Sequence, residues 1–314
     1  MREKVVTVAL NPCIDKTVTV KELVPYGLNR VEHSQVDPGG KGINVARVLK
    51  SFGVHATASG FLAGHTGKLL QNFLTRDGID SDFMEIPGET RINIKIFDRK
   101  AKKITEVNES GCVVSAEELP KFQKRFRELC GEARIAIMTG SLPPGVPDDV
   151  YAQFIETAKT AGAQTILDAD GEALKKGIVS RPFAIKPNIH ELEALAGRPL
   201  PTQQDVLAFG RKLVQEGIGL VIVSMGADGA IVLNEDEAYK TDSWKIQVKS
   251  ATGSGDSMVA ALAAELMRGA SLSDIARAAT AAGTVTASKP GTQLCTEEEV
   301  RKAIPLVTLH PLEL

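Results

Sequence analysis

Ile135-Ala136-Ile137-Met138, then Tyr151 to Lys159, then Thr165-Ile166-Leu167 is the stretch that decides the architecture. Its first and last pieces are short apolar runs of strand length. The middle piece is amphipathic at helical spacing, follows Pro147-Asp148-Asp149 as a start signal, and meets a stop at Gly162. Strand, helix, turn and strand in succession make a βαβ unit, whose strands run parallel. Working outward, similar strand-like runs occupy Val5 to Leu10 and Leu220 to Val223. The alternation predicts an α/β fold with a mostly parallel sheet covered by helices on both faces.

Two segments break that pattern. Thr17-Val18-Thr19-Val20 and Arg91-Ile92-Asn93-Ile94-Lys95-Ile96-Phe97 alternate with a period of two, which reads as antiparallel strands with one wet face. They predict a small β flap built from excursions out of the main unit, and a flap of this kind can cover a site. No repeat, low-complexity tract or Pro/Ser-rich linker divides the 314 residues, so one domain spanning 1–314 is expected, with the flap drawn from about 16–37 and 83–110.

Composition excludes several classes. The hydrophobic fraction of 43% and charged fraction of 24% are those of an ordinary globule rather than a disordered or collagen-like chain. Lys and Arg number 37 against 39 Asp and Glu, a net charge of −2, so no basic surplus points to nucleic acid or an anionic membrane. Cysteines at 13, 112, 130 and 295 form no C-x-x-C pair, which fits a reducing compartment better than a disulfide framework or a zinc site. No apolar run approaches the roughly 20 residues of a membrane span, and no secretory leader pattern precedes Val5. A cytoplasmic location is expected.

Four polar motifs sit at strand or helix ends. In Pro38-Gly39-Gly40-Lys41-Gly42-Ile43-Asn44 three glycines lead into a helix carrying Ile43, Ala46, Val48 and Leu49. Glycine lets backbone amides approach a ligand, and a helix N-terminus favours anions, so the motif reads as a ligand site. Thr252-Gly253-Ser254-Gly255-Asp256-Ser257 precedes the apolar helix Met258 to Met267. It reads either as a nest of N–H groups holding an oxyanion beside the Asp256 carboxylate, or as a helix start with Asp256 as N-cap. Lys186-Pro187-Asn188-Ile189-His190-Glu191 puts Asn188 and Glu191 one helical turn apart. That pair suits Mg²⁺, directly or through its waters, and it equally suits a capping box. Ser224-Met225-Gly226-Ala227-Asp228-Gly229 is a glycine turn between strands 220–223 and 230–233.

Other candidates fail. Gly64-His65-Thr66-Gly67-Lys68 imitates a phosphate loop, but Leu62 and Leu69 stand at the required glycine and hydroxyl positions, so a helix start is expected. Histidines 33, 55, 65, 190 and 310 lack metal spacing and are expected at the surface, and Cys13 is expected as a small buried filler.

Taken in order, Asn11-Pro12-x-x-Asp15, Gly39-Gly40-Lys41-Gly42-x-Asn44, Gly140-Ser141-Leu142-Pro143, Lys186-Pro187-Asn188-x-x-Glu191 and Gly253-Ser254-Gly255-Asp256 resemble the phosphofructokinase B group of ribokinase-like sugar kinases. The resemblance runs from Val6 to about Thr292. It implies a three-layer α/β/α domain with a small β lid, ATP and Mg²⁺ as cosubstrates, and transfer of the γ-phosphoryl to a sugar hydroxyl. Within the group, residues 11–17 and 90–95 look most like 1-phosphofructokinases, with tagatose-6-phosphate kinases as near relatives. Ser254 stands where the common pattern has Ala, a variation familiar from the tagatose-6-phosphate enzymes.

The resemblance also implies roles. Asp15 and Asn44 would hold sugar hydroxyls, with Gly39 and Gly40 allowing close approach. Lys41, Arg91 and Arg30 would meet the phosphate already on the sugar, near Ser141. Lys186, Asn188 and Glu191 would organise the ATP phosphates and hydrated Mg²⁺. Ser224, Gly226, Gly229 and Thr252 would lie along the nucleotide. The amides of Gly253, Ser254, Gly255 and Asp256 would cradle the transferring group, with the Asp256 carboxylate as the base. A non-catalytic sugar-phosphate sensor on the same fold is the rival reading. A lid can also serve as a dimer interface, so a homodimer is compatible with the sequence.

Overall fold

The computed structural model describes residues 3–313. The chain runs β1 (Lys4–Ala9), β2 (Cys13–Val20), β3 (Val31–Gly39), α1 (Lys41–Ser51), β4 (Ala56–Ala63), α2 (Gly64–Arg76), β5 (Asp80–Ile86), β6 (Arg91–Asp98) and β7 (Lys103–Asn108). It continues α3 (Glu118–Glu132), β8 (Ala133–Thr139), α4 (Val150–Thr160), β9 (Gln164–Asp168), α5 (Gly171–Gly177), β10 (Ala184–Ile185), α6 (Ile189–Ala196) and α7 (Gln203–Gln215). The last part holds β11 (Leu220–Ser224), β12 (Ala230–Leu233), β13 (Ala238–Asp242), α8 (Ser254–Arg268), α9 (Leu272–Ala287), α10 (Glu297–Ala303) and β14 (Thr308–Pro311).

Ten strands form one sheet in the order β14-β13-β12-β11-β10-β9-β8-β1-β4-β5, parallel from β11 through β5 and antiparallel over β12 to β14. Alternation along each strand divides the apolar residues between two cores. Val5, Ile135, Ile137 and Ile222 pack with α1, α8 and α9. Val6, Val8, Met138, Val221 and Val223 pack with α3, α4 and α7 on the opposite face. Because both faces are covered, only the strand ends are left for polar chemistry. The helix expected over 151–159 is α4, and its stop is a Schellman turn. Ala163 N–H bonds Ala158 O and Gly162 N–H bonds Lys159 O, both at 2.9 Å, with Gly162 at φ +79°.

The second sheet has four strands in the order β3-β2-β6-β7. It corrects the expected pairing, because β2 and β6 are parallel over Cys13↔Arg91 to Val20↔Asp98. A long excursion through the main sheet separates them, and such a crossover permits the parallel arrangement that a tight hairpin forbids. Antiparallel pairs are instead β2 with β3 and β6 with β7. Residues 83–86, expected in the flap, lie in β5 at the edge of the main sheet. All four cysteines are free thiols and all five histidines are exposed. Gly64 begins α2 as a helix start. Among the described residues no helix is long and apolar enough to cross a membrane.

Candidate active site

The carboxyl ends of the parallel strands face the polar side of the four-stranded sheet across a cleft of about 660 Å³. Ligands bind open α/β sheets at this edge, because helix N-termini and loop amides converge there. From the lid come Asp15, Arg91, Asn93 and Lys95, and from the main sheet Asp168, Lys186 and Ser224.

Asp256 lies in the first turn of α8, three residues after the N-cap. The N-cap is Gly253, held at φ +79°, so the reading of Asp256 as the cap is corrected. Its carboxylate is free to point into the cleft, where Asn44 Nδ2 donates to Oδ2 at 2.8 Å. Burial, reinforced by the nearby Asp168 charge, pushes the Asp256 carboxyl up to about 6 against the opposing pull of Lys41, Asn44 and Lys186. Asp168 goes the other way. Burial alone would raise it, yet Lys186 and Lys41 hold its carboxyl below the usual range. The ion pairs measure 3.1 Å to Lys186 Nζ and 3.5 Å to Lys41 Nζ. Asp168 in turn raises Lys41, which also feels Asp256 and Glu191. Two carboxylates in one cleft are thus driven apart, one locked as an anion and one poised to take a proton.

Around them, Thr252, Gly253 and Gly255 line the cleft. A Cβ on Gly255 would stand 3.3 Å from Lys186 Nζ, so glycine keeps that ammonium open. Ser254 does not line the cleft, and its Oγ is buried without a hydrogen-bond partner. Gly40, at φ +107°, caps α1 and presents Lys41 and Asn44. Arg91 donates to the carbonyl of Asn11 at 2.9 Å and approaches Ser141 Oγ at 3.5 Å, beside a recess shared with Gly40 and Lys41.

Asn188 and Glu191 do form the capping box. Asn188 Oδ1 accepts from Glu191 N–H at 2.9 Å and Glu191 Oε2 from Asn188 N–H at 2.8 Å, while both residues also line the cleft. Among the described residues no three His, Cys, Asp or Glu are placed to enclose a metal ion. Asp168 Oδ1 is buried against Lys186 Nζ at 3.1 Å, so the carboxylate is already neutralised from the protein side. This sparse acidic set fits a hydrated Mg²⁺ carried mainly by phosphate oxygens rather than a protein cage.

Two expected residues stand apart. Arg30 is exposed at the tip of the β2–β3 hairpin, at the end remote from Asp15, outside the cleft. Gly229 closes the turn into β12, where a Cβ would meet Thr241 O at 1.8 Å, so its role is the turn itself. Ser224 and Gly226 do reach the cleft. Sequence reasoning missed Asp168, Asn93 and Lys95. The available signals were a carboxylate directly after the run 165–167, and a polar set at 91, 93 and 95 on one face of a period-two strand.

A lid over the carboxyl edge of a parallel sheet, a glycine-led helix start and a buried carboxylate among lysines define a kinase that hands phosphate to a small acceptor. The chain belongs to the pfkB family of carbohydrate kinases, whose model matches residues 8–299. It is an ATP-dependent sugar kinase. The chain is 37% identical to the 1-phosphofructokinase of Bacillus subtilis, covering 98% of this chain and 99% of that protein. It is 34% identical to that of Borreliella burgdorferi, covering 95% of each. Phosphofructokinase-2 of Escherichia coli, in complex with substrates and products, superposes with a TM-score of 0.91 at 30% identity, covering 97% of this chain and 99% of that one. That E. coli protein also has a tetrameric inhibited form.

Proposed function

We propose that the chain transfers the γ-phosphoryl of ATP to a ketohexose phosphate, converting D-fructose 1-phosphate to D-fructose 1,6-bisphosphate. The observation that carries this reading is the buried Asp256 at the head of α8, facing the cationic and hydroxyl-binding wall of the lid in one cleft. The name of the two bacterial relatives supports the substrate.

In this reading Asp15 and Asn44 take hydroxyls of the sugar, while Arg91, Ser141 and Lys41 meet its existing phosphate. Lys186, Thr252, Ser224 and Gly226 hold the nucleotide. The hydroxyl oxygen attacks the γ-phosphorus, the bond to the β-phosphate oxygen breaks, and ADP leaves. Asp256 accepts the hydroxyl proton, and the amides of Gly253, Gly255 and Asp256, which line the cleft, neutralise the charge on the transferring group, whereas the Ser254 N–H is taken by Ala251 O at 3.3 Å. A loose transition state asks more of positioning than of basicity, so a carboxyl near 6 serves. Mg²⁺, held through water by Glu191, Asn188 and Asp168, would offset phosphate charge.

The test is a substrate panel. ADP release with ATP and Mg²⁺ is measured for fructose 1-phosphate, fructose 6-phosphate and tagatose 6-phosphate, and kcat/KM should be highest for the first. A higher value for tagatose 6-phosphate would reassign the acceptor, and ADP release with none of them would favour the sensor reading.

We also infer a homodimer through the lid. Its face away from the cleft carries half-buried Val18, Ile94 and Ile96 and exposed Val36 and Val107, an aliphatic surface that a second copy can cover symmetrically. Ile94→Asp should shift sedimentation toward the monomer.

A further inference from the structure

On β6 the usual order of burial is inverted. Ile92, Ile94 and Ile96 are half-buried, whereas Lys95 among them is only 7% exposed. Lysine is one of the side chains least often enclosed, and an enclosed ammonium requires an anion and hydrogen-bond acceptors. Its ion pair is with Asp15 Oδ2 at 3.5 Å, reached across the parallel β2–β6 pairing. Glu106 stands opposite on β7 but is exposed and forms no ion pair with it among the described residues.

The other oxygen of Asp15 is held from the same strand by a relay. Asn93 Nδ2 donates to Cys13 Sγ at 3.2 Å, and the Cys13 thiol donates to Asp15 Oδ1 at 3.8 Å. Burial, aided by the Asp15 charge, pushes the Cys13 thiol up to about 12, so it stays a donor. On the third side, a Cβ at Gly39 would fall 2.7 Å from both Asp15 Oδ2 and Cys13 Sγ. Asp15 is therefore gripped in one orientation. Beside it, Asn93 Oδ1 is buried with no hydrogen-bond partner, on a residue that lines the cleft.

This wall offers a carboxylate, an unpartnered carbonyl and an ammonium with donors to spare, a pattern matched by vicinal hydroxyls. It does not suit the phosphate end of the acceptor, which Asp15 would repel and which Arg91, Ser141 and Lys41 can take at the other end of the lid face. We propose that Lys95 and Asn93 determine acceptor specificity, Lys95 by holding Asp15 as a fixed partner for sugar hydroxyls and Asn93 by accepting one hydroxyl at Oδ1. The proposal rests on the sugar-phosphate reading above and names the residues that read the sugar.

The experiment is steady-state kinetics on Lys95→Met, Lys95→Arg and Asn93→Ala, using the ketohexose phosphate that the parent turns over fastest, with ATP varied separately. Lys95→Met and Asn93→Ala should each raise the acceptor KM about tenfold or more, leave the KM for ATP within about twofold, and narrow the preference between fructose and tagatose phosphates. Lys95→Arg, which keeps the charge on a longer side chain, should recover part of the lost KM. Should Lys95→Met fail to fold, Asn93→Ala carries the test, since it strands no buried charge. An acceptor KM within twofold of the parent in Asn93→Ala, or an equal rise in both KM values, would overturn the proposal. A parent inert toward every ketohexose phosphate would instead overturn the proposed function.

Discussion

In the ten-stranded sheet both faces are covered by helices, so polar side chains reach the cleft only from strand ends, as Asp168, Lys186 and Ser224 do. In the four-stranded sheet the part of the face that lines the cleft is polar, and Asp15, Asn93 and Lys95 reach the cleft from within strands. Strand ends come with helix N-termini and loop amides, which suit anions and charge transfer. An open sheet face instead presents a grid of side chains at fixed spacing, which suits reading a polyol and can change without disturbing a core. Under the proposed function, the contrast corresponds to chemistry on the main sheet and recognition on the lid.

The strongest way to break it is Asp256→Asn. Asparagine keeps the size and the contact with Asn44, yet removes the proton acceptor, so kcat should fall at least ~10²-fold while the acceptor KM changes little. Folding should not suffer. With its carboxyl raised to about 6 in the native state, Asp256 binds its proton more tightly there than in the unfolded chain. Its contribution to stability is therefore present below the unfolded value and lost as pH rises through about 6. At neutral pH the amide should melt no lower than the parent. A kcat within tenfold of the parent would falsify the catalytic assignment.

Gly39→Ala tests the other half. The new Cβ would displace Asp15, which loses charge-assisted hydrogen bonds worth about 1.5–3 kcal/mol each, so the acceptor KM should rise about 10- to 100-fold. The change should sit in KM, and a collapse of kcat with the acceptor KM unmoved would erase the proposed division.

The pH profile separates the sheets without mutation. As the proposed base, Asp256 must be ionised in the free enzyme, so kcat/KM for the acceptor should fall about tenfold per unit below about pH 6. A kcat/KM that stays flat down to pH 5 would remove Asp256 as the base. The smallest effect is expected for Glu191→Gln. Glutamine still accepts the Asn188 N–H, so the melting temperature should hold, while the Mg²⁺ concentration for half-maximal rate should rise about threefold. An unchanged Mg²⁺ dependence would leave Glu191 as a helix cap alone.

The sequence by itself determined a number of the elements and their α/β order, because periods of 2 and 3.6 and glycine stops are local properties. β8, α4 and β9 were legible from 135–167, and the glycine-led starts of α1 and α8 from 38–44 and 252–257. It also showed which residues share the polar face of β6, since alternation needs no partner strand. Which strand lies beside β6 was not legible, because alternation assigns a face but carries no information about pairing, and the parallel match with β2 appears only when the chain has crossed the main sheet. Asn44 meets Asp256 across 212 residues, and Asp168 at the end of β9 stands between Lys41 at the start of α1 and Lys186 just after β10. The burial of Lys95 and the poise of Asp256 belong to the tertiary structure for the same reason, since the field on a charge is set by neighbours that only folding brings within a few ångströms.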